Sequence, residues 1–159
     1  MKTKINISHC PLNDAKNSRD FQWCEYDFNR IHELTSSNNY SNIIWKDGIR
    51  KAENFLGVNW LSLDIDSGLS LEAAKALLGD YEEVCIVTTR SHQMSTKNGK
   101  SVTPTDHFRI MIKLDEPITD YDTYRTVITN LIEQFQADPA CKDGARFYYG
   151  NPKQEVWYS

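Results

Sequence analysis

The chain has 159 residues, of which 40% are hydrophobic and 25% charged, and these values are typical of one globular domain. The absence of a long apolar run excludes a transmembrane helix, and four cysteines without C-x-x-C spacing indicate reduced thiols in a cytosolic protein. A formal net charge of -4 excludes a protein that coats nucleic acid with bulk positive charge, although it leaves room for a local basic groove.

Residues 1–57 are polar and irregular, with aromatic side chains scattered among Ser, Asn and Asp. The pattern predicts a strand over Lys4–Ile7, a helix over Asp20–Leu34, a loop over Thr35–Ser41 and a second helix over Asp47–Phe55. We expect this part to be an accessory α/β extension that packs against the rest of a single domain, residues 1–159.

Residues 58–159 show a sharper pattern, in which strand-like alternation and helical spacing follow each other. The predicted elements are, in order, a strand Val58–Asp66, a helix Leu71–Leu78 capped by Ser70, strands Glu83–Thr89 and His107–Leu114, a helix capped by Thr119, a strand Ala145–Tyr149 and a possible strand from Glu155 to Tyr158. Pro117 is expected to end the third of these strands. Residues 90–105 are predicted to be a polar loop.

The order β-α-β-β-α-β over residues 58–149 is that of the split β-α-β, or ferredoxin-like, unit, so the sequence predicts an α+β fold. In that unit the first strand lies between the third and the fourth and is antiparallel to both. The carboxyl end of Val58–Asp66 would then meet the start of His107–Leu114 and the start of Ala145–Tyr149. The second strand, which ends near His92, would lie one strand further away.

Asp64 and Asp66 stand two residues apart on the first of these strands, so both carboxylates point the same way, about 6–7 Å apart. Carboxylates in an apolar strand are costly unless they are paired or bind a metal, and hard cations such as Mg²⁺ and Mn²⁺ prefer oxygen ligands. The pair is therefore a candidate metal site, and we expect it to contribute nothing to the core. The alternative is a solvated strand end, with Asp66 capping the next helix.

His107 and Arg109 share one face of a predicted strand and could bind a phosphate. Taken alone, they could equally be a solvent-facing pair. The predicted topology brings them beside Asp64 and Asp66, which would place cations for phosphates opposite anions for metals.

The segment before the last strand offers a third carboxylate, which would complete a two-metal site for displacement at phosphorus. Asp138 is preferred to Asp143, because Gly144 beside Asp143 indicates a simple turn. Arg146 could contact a phosphate or brace a carboxylate. Tyr148 would share its face and could stack on a base or sugar.

The polar loop carries Arg90, Lys97 and Lys100, and it either grips a nucleic-acid strand or is a solvated hairpin. Together with Arg146 these residues offer only about two or three phosphate contacts, so we expect weak binding of a template strand.

Four blocks, in their order and spacing, resemble the archaeo-eukaryotic primase superfamily, and within it the primase and primase-polymerase domains of phage and plasmid replication proteins. They are KAENF (51–55), WLSLDIDSG (60–68), the stretch from TTRSHQ to HFRIMIKLDEPI (88–118) and DPACKDGARFYYGNP (138–152). The resemblance implies an RRM-like catalytic palm in which Asp64, Asp66 and Asp138 hold two divalent metals, Mg²⁺ or Mn²⁺. It also implies that His107 contacts the triphosphate of the incoming nucleotide.

The chain departs from the superfamily at its second motif, which is a small residue, any residue and His, followed by an apolar strand. Thr105, Asp106 and His107 fit this motif, but the apolar run begins only after Arg109. Arg109 could therefore take the phosphate-contacting position.

The resemblance implies a DNA primase or primase-polymerase that joins NTPs or dNTPs on a single-stranded DNA template in the cytoplasm of a bacterial, archaeal or phage-infected cell. We expect the chain to be a piece of a longer replication protein, with a helicase domain or subunit as a possible partner. The alternatives are a non-catalytic RRM-like module that binds single-stranded nucleic acid and a Rep-type endonuclease. The acidic pair disfavours the first, and the absence of a His-x-His pair disfavours the second.

Overall fold

The computed structural model describes residues 3–12 and 21–159. These residues form a three-stranded sheet, a five-stranded sheet, a two-stranded hairpin and three α-helices, so the predicted mixture of α and β structure is confirmed. No helix within the two described ranges is long and apolar enough to cross a membrane.

The N-terminal part supplies the small sheet. Its elements are β1 (Lys4–Pro11), β2 (Gln22–Asp27), α1 (Ile31–Ser37) and β3 (Asn38–Ser41). The strand order is β2-β1-β3, and both neighbouring pairs are antiparallel. The backbone N–H of Asn6 donates to Asn59 Oδ1 at 2.9 Å, and the indole of Trp60 donates to the Asn6 carbonyl at 2.8 Å, so this sheet is joined to the strand that carries Trp60.

The remaining strands and helices belong to the larger part of the protein. They are β4 (Ile44–Trp45), β5 (Phe55–Ile65), α2 (Leu71–Leu77), β6 (Val84–Thr88), β7 (Thr96–Lys97), β8 (Lys100–Ser101), β9 (Phe108–Ile118), α3 (Tyr121–Phe135) and β10 (Val156–Tyr158). The large sheet has the order β10-β6-β9-β5-β4, and all its neighbouring strands are antiparallel. Strands β7 and β8 form an exposed hairpin inside the predicted polar loop.

Helix α3 covers the sheet because its apolar side chains recur every three or four residues. Its buried residues are Tyr124, Ile128, Ile132 and Phe135. The helix begins after Asp120, whose carboxylate accepts from the backbone N–H of Thr123, and it ends at Gln136 in the left-handed conformation with φ 54°. Asp120 is thus the cap that the sequence analysis assigned to Thr119.

Three predictions about the larger part are confirmed. Strands β5, β9 and β6 are adjacent in that order, as the ferredoxin-like unit requires of its first, third and second strands. The Ser70 hydroxyl caps α2 by accepting from the Ala73 N–H at 3.1 Å. The final segment is a strand, β10, at the edge beyond β6.

The predicted fourth strand, Ala145–Tyr149, is wrong. The place beside β5 is taken by β4, and the segment makes only an isolated bridge between Tyr148 and Tyr40. Both backbone groups of Tyr148 are engaged there, because its N–H donates to the Tyr40 carbonyl at 2.7 Å and its carbonyl accepts from the Tyr40 N–H at 2.9 Å. The backbone of the segment therefore pairs with the N-terminal sheet at this one residue rather than with the large sheet.

In the N-terminal part the predicted strand Lys4–Ile7 is confirmed, since it lies within β1, but the predicted helices and loop are wrong. Residues predicted as the first helix form β2 instead, the helix starts only at Ile31, and Asp20 lies outside the described residues. The predicted loop contains the end of α1 and all of β3. The predicted second helix is two 3-10 turns, because Asp47 and Gly48 have φ values of 57° and 69°, which no right-handed helix can accommodate. Pro117 was expected to end the strand, but it lies within β9. It is close to the point where the register between β5 and β9 shifts, between Val58 and Trp60.

Gly150 is fixed tightly against the N-terminal part, and we predict that Gly150→Ala destabilises the protein. A Cβ there would collide with the Asn38 carbonyl oxygen and lie 2.8 Å from the Thr35 carbonyl oxygen. Overpacking of this kind costs about 1–3 kcal/mol in free energy of unfolding, which urea denaturation would measure. Gly79→Ala is the matched control, because its Cβ would have ordinary contact with the Ala76 carbonyl at 3.4 Å. Equal free energies of unfolding for the two variants would contradict the close packing of Gly150 against the Asn38 and Thr35 carbonyl groups.

Candidate functional site

A buried ion pair between neighbouring strands forms the centre of the candidate site. Asp64 of β5 lies directly opposite Arg109 of β9, and Arg109 Nε donates to Asp64 Oδ1 at 2.6 Å. Asp64 is only 7% exposed and Arg109 6%. The sequence-based expectation that the acidic pair contributes nothing to the core is therefore wrong for Asp64.

A second arginine holds the other oxygen of the same carboxylate. Arg146 Nη2 donates to Asp64 Oδ2 at 2.8 Å and lies 3.4 Å from Asp138 Oδ2. Asp138 is brought close by its own backbone, since its N–H donates to the Asp64 carbonyl at 2.8 Å. Asp64, Asp138 and Arg146 therefore meet at one point, as the sequence analysis expected of the segment before the last predicted strand.

Two buried tyrosines support the arginines. Arg109 Nη1 donates to the Tyr40 hydroxyl at 2.6 Å and to the Tyr149 carbonyl at 3.2 Å. The guanidinium groups of Arg109 and Arg146 lie 4.5 Å and 5.2 Å from the ring centroid of Tyr148. These cation–π contacts orient both side chains around Asp64.

Tyr148 is 1% exposed, and its hydroxyl donates to the Ser62 carbonyl at 3.0 Å. The sequence analysis expected this ring to stack on a base or sugar, whereas the structure places it beneath two guanidinium groups. Its neighbour Tyr149 is 50% exposed. The aromatic surface at the site therefore belongs to Tyr149.

The other two predicted residues, Asp66 and His107, lie next to the buried pair and contact each other. His107 Nδ1 is 3.6 Å from Asp66 Oδ1, and the Asp66 side chain is 57% exposed. His107 Nε2 lies 3.0 Å from the Thr105 hydroxyl, and the backbone N–H of His107 donates to His92 Nδ1 at 3.1 Å. Asp66 and His107 thus form a solvent-accessible extension of the buried pair.

Asp106 and Asp143 serve local structure. Asp106 Oδ2 accepts from the backbone N–H of Leu71 at 2.8 Å at the start of α2, a capping role that the sequence analysis had offered to Asp66. Asp143 Oδ1 accepts from the N–H of Ala145 at 2.9 Å, the turn that Gly144 had indicated. Of the two candidates for a third carboxylate, it is Asp138 that contacts the other site residues.

The surroundings of the two arginines keep both guanidinium groups protonated. Burial alone would lower the pKa of Arg109, but the Asp64 carboxylate and the Tyr40 hydroxyl raise it above its ordinary value. The pKa of Arg146 is also raised against the effect of burial, by Tyr148 and Asp64. Burial raises the pKa of the Cys141 thiol, which accepts from the Asp64 N–H, to about 11, so this thiol stays protonated and is no nucleophile near neutral pH.

The cluster forms part of the wall of a cavity of about 280 Å³. Three arginines, Arg50, Arg109 and Arg146, line it together with Asp64, Asp143 and aromatic residues of the segment 147–149. Positive side chains thus outnumber carboxylates in the lining. A cavity of this composition suits an anion with an attached aromatic group, such as a nucleotide.

The three predicted metal ligands are not gathered into one set. Within the described ranges, no group of three or more His, Cys, Asp or Glu side chains is arranged to hold a metal ion. Asp64 and Asp138 nevertheless share one cationic nitrogen, Arg146 Nη2, at 2.8 Å and 3.4 Å. A divalent cation at that point would receive an oxygen from each carboxylate, so these two residues fit such an ion in donor type and placement. Asp66 contacts His107 instead.

No family model and no curated protein matches the chain. Among solved structures, the chain is similar to the AEP domain of the primase-polymerase (PrimPol) of cyanophage S-2L. The TM-score is 0.49 and the sequence identity 12%, and the match covers 98% of this chain and 80% of that chain. Similarity of this degree transfers no residue role from that protein to this one.

Removal of Arg109 leaves Asp64 buried with a single partner, and we predict that Arg109→Met lowers the free energy of unfolding by about 3 kcal/mol or more. The double variant Asp64→Asn/Arg109→Met should lose less than the sum of the two single variants, because neither residue is then left buried without the other. Urea denaturation provides the measurement, and Arg125→Met on the exposed face of α3 is the control. Strict additivity in this cycle would show that the two side chains are not coupled.

Proposed function

We propose that the protein is a metal-dependent nucleotidyltransferase of the primase or primase-polymerase type, which joins nucleotides on a single-stranded DNA template. The observation that carries the proposal is the meeting of Asp64 and Asp138 at Arg146, at the edge of a cavity that Asp64, Arg109 and Arg146 line. The same residues belong to three of the sequence blocks that resemble primases. Single-stranded DNA, NTPs or dNTPs, Mg²⁺ or Mn²⁺ and a helicase domain or subunit are the partners that the proposal implies.

The reaction is the attack of a primer 3′-hydroxyl on the α-phosphate of a nucleoside triphosphate. A bond forms between the hydroxyl oxygen and the α-phosphorus, the bond from the α-phosphorus to the oxygen shared with the β-phosphate breaks, the hydroxyl proton passes to water, and pyrophosphate leaves. Divalent metal held by Asp64 and Asp138, with Asp66 nearby, would make the hydroxyl more acidic and neutralise charge on the triphosphate.

Arg146 is the residue best placed to contact the triphosphate. It is only partly buried, and its Nε is a buried donor without a hydrogen-bond partner among the described residues. A phosphate oxygen would supply that partner and would draw Nη2 away from the two carboxylates. Arrival of the nucleotide would thereby free Asp64 and Asp138 for a cation.

Arg109 holds the active geometry rather than the substrate in this proposal. Its Nε and Nη1 groups already donate to Asp64, Tyr40 and the Tyr149 carbonyl, and it is buried. His107 is more accessible and lies next to Asp66, so it remains the second residue that we expect to contact the triphosphate. The proposal thus divides the predicted phosphate pair into a positioning residue and a binding residue.

A strand-binding module without catalysis is the second candidate, and the exposed ring of Tyr149 beside the arginine-lined cavity favours it. The two candidates differ at Asp138, because only the enzyme needs this carboxylate as a cation ligand, whereas the buried Asp64 supports the fold in both. A binding module should bind single strands better when Asp138 is neutralised, since fewer negative charges would face the phosphates.

Asp64→Asn and Asp138→Asn should each lower primer synthesis by about 100-fold or more, because each removes an anionic ligand from the proposed cation site. The assay incubates the protein with single-stranded templates of varied sequence, Mg²⁺ or Mn²⁺, and labelled NTPs or dNTPs, and resolves the products on a gel. Asp122→Asn, at an exposed position in the first turn of α3, is the matched control.

Full synthesis by folded Asp138→Asn would remove Asp138 from the proposed site. Absence of product from the wild-type protein with either metal, on every template, would contradict the enzymatic function itself. Near-ultraviolet circular dichroism would show whether each variant keeps its tertiary structure.

A further inference from the structure

A second polar cavity opens beside the candidate site. It has a volume of about 420 Å³ and lies between the end of β6 and the segment 151–155. Arg90, His92 and Lys153 line it, and Glu155 is the one acidic residue among the lining residues. None of these four residues takes part in the proposed chemistry, so the cavity calls for a separate explanation.

Four hydrogen-bond donor groups of this cavity, on three side chains, have no acceptor within the described part of the chain. Arg90 uses its Nε on the Gly150 carbonyl at 3.0 Å, which leaves its two terminal amino groups, and the Lys153 ammonium makes no ion pair there. His92 Nδ1 accepts from the His107 N–H at 3.1 Å and so carries no proton. Neutral His92 therefore has its proton on Nε2, which is a donor. This set of donors suits a phosphate oxygen.

Tyr149 separates the two cavities. Its exposed ring lines the arginine-rich cavity, and the Arg90 guanidinium of the second cavity lies 5.9 Å from the ring centroid. The Phe147 ring packs edge-on against it at a centroid distance of 5.1 Å. An exposed aromatic ring between two cationic cavities has the composition of a stacking platform for a nucleic-acid base.

The backbone that carries this platform is firmly held. The Gly150 N–H donates to Asn39 Oδ1 at 3.1 Å, and the Gly150 carbonyl accepts from Arg90. The Asn151 side chain donates to the Thr88 carbonyl at 3.2 Å, which joins the segment after Gly150 to the end of β6. The ring of Tyr149 is thus presented from a rigid segment, and stacking on it orders little backbone.

We propose that Tyr149 and the cavity beyond it bind a single-stranded polynucleotide, with a base stacked on the Tyr149 ring and a backbone phosphate bound by Arg90, Lys153 and His92 Nε2. Positive cavities on both sides of the ring fit a polymer that carries a phosphate on each side of every base better than they fit a mononucleotide. This inference rests on the proposed function in one respect: if the protein is a primase, the bound strand is its template. Binding itself requires neither metal nor catalysis.

The test is fluorescence anisotropy with a labelled oligodeoxythymidylate, in EDTA and without free nucleotide. Tyr149→Ala should weaken binding by about 5-fold or more with an unchanged salt dependence, and Tyr149→Phe should bind like the wild type. Arg90→Ala should weaken binding and make the slope of log K against log salt shallower by about 0.7, as expected for one lost phosphate contact. Arg125→Ala, which changes an exposed arginine of α3, should leave both quantities unchanged.

Wild-type affinity in both Tyr149→Ala and Arg90→Ala would overturn the proposal. It would also be overturned if these variants lost affinity for dTTP, measured by competition, while their affinity for the oligonucleotide stayed the same, because the site would then bind mononucleotides. If the variants lose strand binding but the wild type makes no product, the proposed function fails and this inference stands. If the wild type makes product and the variants bind strands normally, the inference alone fails.

Discussion

The structure depends on a single buried carboxylate, that of Asp64, which must be neutralised where it lies. An ionised carboxylate removed from water is tolerated only when it is paired and hydrogen-bonded, and Arg109 and Arg146 each take one of its oxygens. This requirement ties β5 to β9 and to the segment 138–146. Through Arg109 it also ties them to Tyr40 of the N-terminal sheet. The interaction that stabilises the fold at this point thus also assembles the candidate site.

Much of the centre could be predicted from the sequence because it depends on strand alternation. An antiparallel register that pairs Asp64 with Arg109 also sets Asp66 beside His107, and both contacts are present. Ala145–Tyr149 was predicted as a strand of the same sheet, but its backbone pairs with Tyr40, more than a hundred residues away. Local pattern carries no information on such a distant partner, and the polar stretch around Tyr40 itself resembles a loop.

The roles of individual side chains were harder to predict than their positions. Alternation separates Tyr148 from Tyr149 correctly but does not reveal that the N-terminal part covers Tyr148 and leaves Tyr149 exposed. The same limit applies to Arg109. The sequence predicts that its N–H groups donate to a phosphate, whereas in the buried position they donate to protein oxygens. For Tyr148 and Arg109 the deciding fact is a tertiary contact from a distant segment. The prediction that His92 lies one strand further from the acids agrees with the order β6-β9-β5, and its imidazole accepts from the backbone of His107, directly before β9.

The central claim is that Arg146 occupies, between Asp64 and Asp138, the position of a catalytic cation. Titration of Mn²⁺ followed by electron paramagnetic resonance tests it directly, because free and bound Mn²⁺ are resolved without any reaction. The account predicts that Arg146→Met binds Mn²⁺ more tightly than the wild type and that adding Asp64→Asn or Asp138→Asn to it abolishes this gain. Equal Mn²⁺ affinity in the wild type, Arg146→Met and Asp64→Asn, all folded, would contradict the claim.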